Sequence, residues 1–270
     1  MADWSKIGSR GNVDDRRGFG PAIAGGGLGI TGLAIILVLN LLGGGDVGDV
    51  LSQLQNINVQ PAQVQNATEF EGQDSYEIFA STVLGSNNDL WSNIFAQNNQ
   101  TYTPPRLVLF RAATQSACGT ATSRVGPHYC PLDQTIYLDE TFFDELTNRF
   151  GAEGGDVAEA YVIAHEVGHH AQNLMGTLSD ARDNESSIRI ELQADCYAGL
   201  WASSIKNLGI FESGEIREAL DAAAAVGDDR IQETVTGRVN PESWTHGSSA
   251  DRVLWFDKGY ETGQLAQCNI

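Results

Sequence analysis

The feature that most constrains this chain is the motif HEVGH at residues 165–169, which matches H-E-x-x-H. The surrounding segment is predicted to be a helix, because Asp156 can cap its amino end and Gly176 is a natural stop. Four residues advance a helix by about 400°, so His165 and His169 share one face. Two imidazoles in this arrangement can bind one zinc ion.

Other residues of this helix differ in position and therefore in expected role. Glu166 directly follows His165, where its carboxylate can reach a metal-bound water, which is the position of a general base. His170 lies about 140° from His165 around the helix and is expected to be structural or supporting. Gln172 and Met175 stand where metzincins carry Gly and His, which excludes that class of metalloprotease.

A catalytic zinc needs a third protein ligand and an open position. Glu191 and Asp195 are four residues apart in an otherwise apolar segment predicted as a second helix at 187–207. Two carboxylates on one such face are costly to bury without a cation. We expect Glu191 to be the third ligand and Asp195 to accept a hydrogen bond from a ligating histidine. Exchanged roles and an ordinary solvated face are the alternatives.

Three further residues carry weaker signals. His246 precedes the last predicted helix and can donate to the oxyanion formed at an attacked carbonyl, or can be a loop histidine. Arg252 can anchor Asp195 or pair at the surface. Tyr137 lies in the predicted strand 135–138, which we expect at the sheet edge, and can flank the cleft or only pack.

The remaining pattern is dominated by helices with a few short strands, which predicts the α+β class with a small sheet. A helix is predicted at 74–97, in two pieces broken near 85–87. A strand is predicted at 106–110, a short helix at 140–150, and a further helix from about residue 213 to 227.

The chain carries no charge between Arg17 and Asp46, and residues 28–42 are almost entirely apolar. A helix of this length and character can cross a bilayer. The sequence therefore predicts one transmembrane anchor at 18–45, with a cleaved signal peptide or a buried core helix as alternatives.

The flanking charges predict the topology. The pair Arg16-Arg17 predicts a cytoplasmic amino terminus. Residues 1–17 would then be a cytoplasmic tail, 46–67 a linker, and 68–270 the metal-binding domain, on the periplasmic or extracellular side of the cell membrane. The net charge of −19, from 35 acidic and 16 basic side chains, argues against binding to nucleic acid.

The four cysteines agree with an oxidising environment. Four cysteines allow three pairings. Cys118 and Cys130 bracket a turn-rich loop that a local bridge would close, and Cys196 with Cys268 would then tie the carboxyl end to a helix. Buried free thiols are the alternative, whereas the absence of a Cys-x-x-Cys pair disfavours a metal site.

Taken together, these motifs resemble the bacterial putative neutral zinc metallopeptidases, a family of single-pass membrane proteins. HEVGHH with ELQADC also resembles the gluzincin pattern of membrane-bound heat-shock proteases. One departure is His128, where we expect an aromatic residue such as Phe. The matching segments run over nearly the whole chain: NVDDRRG, the glycine-rich apolar stretch, Gly126 to Pro131, IYLD, HEVGHH, ELQADC, HGSSADR and WFDKG.

The resemblance implies a zincin-like fold in which His165, His169 and Glu191 bind one Zn²⁺ and Glu166 is the catalytic acid and base. It implies a membrane-anchored peptidase that hydrolyses peptide bonds, although two imidazoles and one carboxylate accept several metals. One alternative is a catalytically silent zinc-binding membrane protein that acts as a scaffold. Another is a structural zinc module with His246 as a fourth ligand. The sequence gives no indication of the substrate or the oligomeric state.

Overall fold

The computed structural model describes residues 1–18, 74–178, 183–212 and 214–270. Within these ranges helices dominate and the strands are short, so the predicted α+β class is confirmed. The helices are α1 (Ser75–Gln97), α2 (Thr141–Phe150), α3 (Asp156–Met175), α4 (Asn184–Ile205), α5 (Ile216–Ala225), α6 (Asp228–Thr236) and α7 (Ser249–Thr262). The strands are β1 (Val13–Asp15), β2 (Arg106–Leu109), β3 (Ala113–Ser116), β4 (Gly119–Thr122), β5 (His128–Cys130) and β6 (Thr135–Leu138).

The main sheet has the strand order β1-β2-β6-β5. Strands β1, β2 and β6 are parallel, and β5 runs antiparallel to β6. Strand β6, expected at the sheet edge, lies inside it between β2 and β5, so that expectation was wrong. All four residues of β6 are buried, which is typical of a strand covered on both faces. Among the described strands, β5 is the edge next to β6.

The first residues of the chain belong to this domain. Strand β1 pairs with β2, with Val13 opposite Leu107. The Trp4 ring stacks on Trp201 of α4, with the ring centroids 6.3 Å apart. Asp156, expected to cap α3, is instead its first residue, and its carboxylate accepts a hydrogen bond from Trp4 Nε1 at 2.7 Å. Apolar side chains of residues 1–17, the predicted cytoplasmic tail, are therefore part of the core of this domain. The cytoplasmic location of these residues stays a prediction.

The basic pair Arg16-Arg17, which follows β1, forms ion pairs within the domain. Arg16 pairs with the buried Asp14 at 2.7 Å. Arg17 pairs with Asp74 at the start of α1 and with Glu140 before α2. The predicted anchor at 18–45, apart from Gly18, and the predicted linker at 46–67 lie outside the described residues. None of the helices in the described ranges has the length and apolar character that crossing a membrane requires.

Helix α1 runs without the break predicted near residue 85. Gly85 packs directly against the backbone of Arg10, where a Cβ would lie 2.6 Å from the Arg10 nitrogen. The Ser86 hydroxyl and the Asn87 amide both donate to the Val83 carbonyl, at 2.8 and 3.0 Å. These side chains bond within the helix instead of ending it.

Two disulfides close the domain with the expected pairing. Cys118–Cys130 joins the turn between β3 and β4 to strand β5, and Cys196–Cys268 joins α4 to the carboxyl end. No cysteine is free.

Helices α4 and α7 cross in direct backbone contact. A Cβ at Gly199 would lie 2.0 Å from the Phe256 carbonyl oxygen, and a Cβ at Gly259 would lie 2.0 Å from the Cys196 carbonyl oxygen. Only glycine permits this approach. The crossing is important for the site described below, because it holds Arg252 of α7 beside α4.

We expect Gly259→Ala to lower the free energy of unfolding by about 3 kcal/mol, because the methyl group forces the two helices apart. Denaturant unfolding of the purified protein measures this change. Gly8→Ala is the matched control, since a Cβ there meets no atom within 4 Å. Equal stability of the two variants would contradict the close crossing.

Candidate metal centre

Helices α3 and α4 bring three metal-binding groups together. The Nε2 atoms of His165 and His169 on α3 lie 3.1 Å apart. Glu191 of α4 places its Oε2 atom 3.2 Å from His165 Nε2 and its Oε1 atom 3.5 Å from His169 Nε2. These three residues are the one group with metal-binding geometry found in the described ranges. His246 is outside that group, so the structure does not place it as a fourth ligand.

The two helices can approach because small residues lie where they cross. A Cβ at Gly168, inside the motif itself, would lie 3.2 Å from the Cα of Ala194. Larger residues at either position would separate α3 from α4 and move Glu191 away from the histidines.

This donor set fits a zinc ion. Two ligand atoms that each lie about 2.0–2.1 Å from zinc at a tetrahedral angle are about 3.3–3.4 Å apart. The three separations of 3.1, 3.2 and 3.5 Å cluster around that value. Two imidazoles with one carboxylate are also a donor set of catalytic zinc sites, which keep one position open. The Glu191 side chain is 20% exposed, so the group opens to solvent on one side.

The other ring nitrogen of each histidine is fixed by a hydrogen bond. His165 Nδ1 donates to Asp195 Oδ1 at 2.8 Å, and His169 Nδ1 donates to Gln172 Oε1 at 2.9 Å. Both rings therefore direct Nε2 to the centre, where a bound metal ion would take the place of the Nε2 proton. Gln172 served in the sequence analysis only to exclude metzincins. Its position three residues after His169 was the signal for this role.

Asp195 is fully buried and accepts several hydrogen bonds. Arg252 donates to both of its oxygens, from Nε at 2.8 Å and Nη2 at 2.9 Å, and the Tyr161 hydroxyl donates at 2.6 Å. Burial opposes ionisation, but Arg252 and His165 outweigh it and lower the pKa of Asp195. Asp195 is therefore an ionised group that orients His165.

The charges around the centre favour a cation. Burial disfavours charged His165, but the nearby Asp195 and Glu191 carboxylates raise the pKa of this imidazole to about 9. Burial also opposes ionisation of Glu191, yet His169 and His165 hold the pKa of this carboxyl well below its usual range. A divalent ion at this position meets carboxylates that are already ionised.

Glu166 and His246 lie on different elements. Glu166 is buried on α3 beside His165. His246 lies in the loop before α7, and its Nδ1 is 3.3 Å from Asp228 Oδ1 at the start of α6. Burial lowers the pKa of His246, but Asp228 and Glu191 more than offset this effect and raise it.

Asp228 is a functional residue that was not predicted from the sequence. One of its oxygens accepts the backbone N–H groups of Thr245, His246 and Gly247, at 2.7, 2.6 and 3.0 Å. This single carboxylate therefore fixes both the loop and the ring of His246. Its signal was an acidic residue directly after Gly227, where the helix predicted from about residue 213 ends.

His170 is fully buried beside the centre and points to other partners. Its Nε2 is 2.7 Å from the Thr103 carbonyl and its Nδ1 is 2.9 Å from the Tyr129 hydroxyl. Burial lowers the pKa of His170 to about 4, so the ring is neutral. His128 stacks on Tyr137 with centroids 5.5 Å apart, which is the contact an aromatic residue would make. Tyr137 itself is buried in β6.

Comparison with known proteins agrees with this centre. Residues 2–270 match the family described as "Putative neutral zinc metallopeptidase". The chain is 40% identical to the uncharacterised protein YpfJ of Escherichia coli (strain K12), over 96% of this chain and 94% of that protein. It is 50% identical to the uncharacterised protein Rv2575 of Mycobacterium tuberculosis (strain H37Rv), over 62% of each chain. No solved structure matches.

Proposed function

Because the chain belongs to the putative neutral zinc metallopeptidase family, we propose that it is a zinc-dependent peptidase with one zinc ion per chain. The observation that carries this proposal is the convergence of His165, His169 and Glu191, with Glu166 beside them. The open side of this group supports catalysis rather than a purely structural metal site.

Each residue has a distinct part in the proposed reaction. Zinc, when bound, supplies a Lewis acid that polarises the scissile carbonyl and acidifies the attacking water. Glu166 takes the proton from that water and later delivers it to the leaving amine. His246, oriented by Asp228, donates to the oxygen on which negative charge develops. Asp195 and Gln172 keep the two imidazoles in the tautomer that binds metal.

The proposed substrate is an extended peptide that pairs with strand β5. This strand lies at the edge of the sheet, and its Tyr129 contacts α3 at His170, the residue after His169. An edge strand offers unpaired backbone groups to a peptide, which supplies affinity without dependence on sequence.

The two disulfides support a location outside the cytoplasm. Disulfides persist in the periplasm and in extracellular space and are rare in the cytosol. We place the metal centre in such an oxidising compartment.

We expect the purified protein to contain zinc in a one-to-one ratio and to cut members of a peptide library. Removal of the ion with a chelator stops the cleavage, and added zinc restores it. His165→Ala loses both the ion and the cleavage, because two ligands bind zinc far more weakly than three. Elemental analysis and mass spectrometry of the digest measure the two quantities.

His128→Ala is the matched control for zinc content, since His128 stacks on Tyr137 away from the centre. Zinc lost equally from both variants would contradict the proposed ligands. Stoichiometric zinc in a wild-type protein that cuts no peptide would favour the silent scaffold.

A further inference from the structure

We propose that Tyr129 and His170 are positioning residues that fix the substrate-pairing strand β5 against the metal-bearing helix α3. This inference rests on the proposed peptidase function and adds the device that sets where a peptide lies relative to the centre. It assigns a purpose to a buried histidine that the proposed chemistry does not use.

Three hydrogen bonds fix the His170 and Tyr129 side chains, and two of them connect the strand to the helix. His170 Nε2 donates to the Thr103 carbonyl at 2.7 Å, since a carbonyl can only accept. The Tyr129 hydroxyl then donates to His170 Nδ1 at 2.9 Å. Asn173, one turn after His169 on α3, donates from Nδ2 to the same hydroxyl at 2.9 Å. In this series of hydrogen bonds, each group is fixed as donor or acceptor by the group next to it.

Aromatic packing holds the same ring from two sides. Tyr129 and Tyr102 both meet the His170 ring edge-on, with centroids 5.3 and 5.6 Å away. Only one of these tyrosines belongs to β5. The hydroxyl of Tyr102 bonds to Asn88 of α1 at 3.1 Å and so has no link to the edge strand.

Strand β5 needs this support because it is short. It has three residues and, among the described strands, pairs only with β6. The Cys118–Cys130 disulfide holds its last residue to the β3–β4 turn, whereas Tyr129 holds its middle residue to α3. A peptide added to such an edge is aligned with the metal centre only if the strand itself is fixed to α3.

His169 and His170 are adjacent, so one turn of α3 carries both a proposed metal ligand and the residue that holds β5. His169 faces the metal-binding group, and His170 faces Tyr129 and Thr103. The residue that holds β5 therefore directly follows a metal-binding histidine. Its contacts would fix how far a peptide paired with β5 lies from the metal centre. Loss of the Tyr129 hydroxyl should weaken alignment of long peptides and leave the centre itself intact.

The test compares Tyr129→Phe with Tyr102→Phe. Each substitution removes one hydroxyl from a tyrosine that packs against the His170 ring. Two substrates are used: a long peptide identified in the library digest, and the dipeptide that spans its scissile bond and cannot cover β5. For Tyr129→Phe we expect KM for the long peptide to rise about tenfold, with kcat unchanged, because two hydrogen bonds are lost. The dipeptide should be cut as by the wild type.

A binding measurement separates alignment from chemistry. In a Glu166→Gln background, which retains zinc, Tyr129→Phe should raise the Kd of the long peptide about tenfold. Asn173→Ala, which removes one of the two bonds, should give a smaller increase, and Tyr102→Phe should give none.

Three results would overturn the inference. Tyr129→Phe could leave the long peptide unaffected, could weaken the long peptide and the dipeptide equally, or could match Tyr102→Phe. In each case the wild-type digest still reports on the peptidase function itself. A wild type that cuts nothing refutes that function directly, so the two failures are distinguishable.

Discussion

Glu166→Gln should reduce peptide hydrolysis by about 10²–10⁴-fold while the protein keeps its zinc. The amide has nearly the shape of the carboxyl group but cannot take a proton from water. Glu166 is buried on α3 beside His165 and is not one of the three converging groups, so the substitution leaves the metal ligands in place. Steady-state kinetics and elemental analysis of the same preparation measure both quantities.

Glu159→Gln is the matched control, because it makes the same substitution two turns earlier on α3. Glu159 lies among acidic neighbours at the start of the helix, where burial and Asp156 raise its pKa to about 7. The control should cut peptides at the wild-type rate. Full activity in Glu166→Gln would remove the proposed base, and loss of zinc from it would mean that Glu166 is a ligand.

Asp195→Ala should lower the free energy of unfolding by about 3–5 kcal/mol. The substitution leaves Arg252 buried without the carboxylate that accepts from its Nε and Nη2 atoms. It also removes the acceptor of His165 Nδ1, so zinc affinity should fall about 10–100-fold. Denaturant unfolding and competition with a zinc chelator measure the two effects.

A double variant separates the structural part of this role from the metal-binding part. Asp195→Leu with Arg252→Met replaces the buried ion pair by apolar side chains, which is often neutral for stability. We expect the double variant to regain most of the lost stability and to keep the weakened zinc affinity. If zinc affinity recovered together with stability, Asp195 would act only through the fold.

The centre was accessible to sequence reasoning because its spacing is local. His165 and His169 are one helical turn apart, and so are Glu191 and Asp195, and the structure brings the first three of these together as expected. Helix periodicity alone gives which face each residue occupies. The two helices can then meet because Gly168 and Ala194 are too small to keep them apart.

The supporting partners were not accessible in this way. Asp228 meets His246 from a separate helix, and Tyr129 meets His170 across 41 residues of sequence. Such pairs carry no periodic signal, since they depend on how strands and helices pack. The position of β6 inside the sheet was missed for the same reason, because a buried strand and an edge strand of four residues differ in their neighbours more than in their composition.

The pairing of β1 with β2 has a consequence for how the domain folds. It joins Val13 to Leu107, more than 90 residues later in the chain, so this half of the main sheet forms only after a long loop has closed. The ion pair of Arg17 with Asp74 joins residues that are 57 positions apart in the sequence. Contacts between segments this distant in sequence form slowly, so we expect β1 to join the sheet after the local helices have formed.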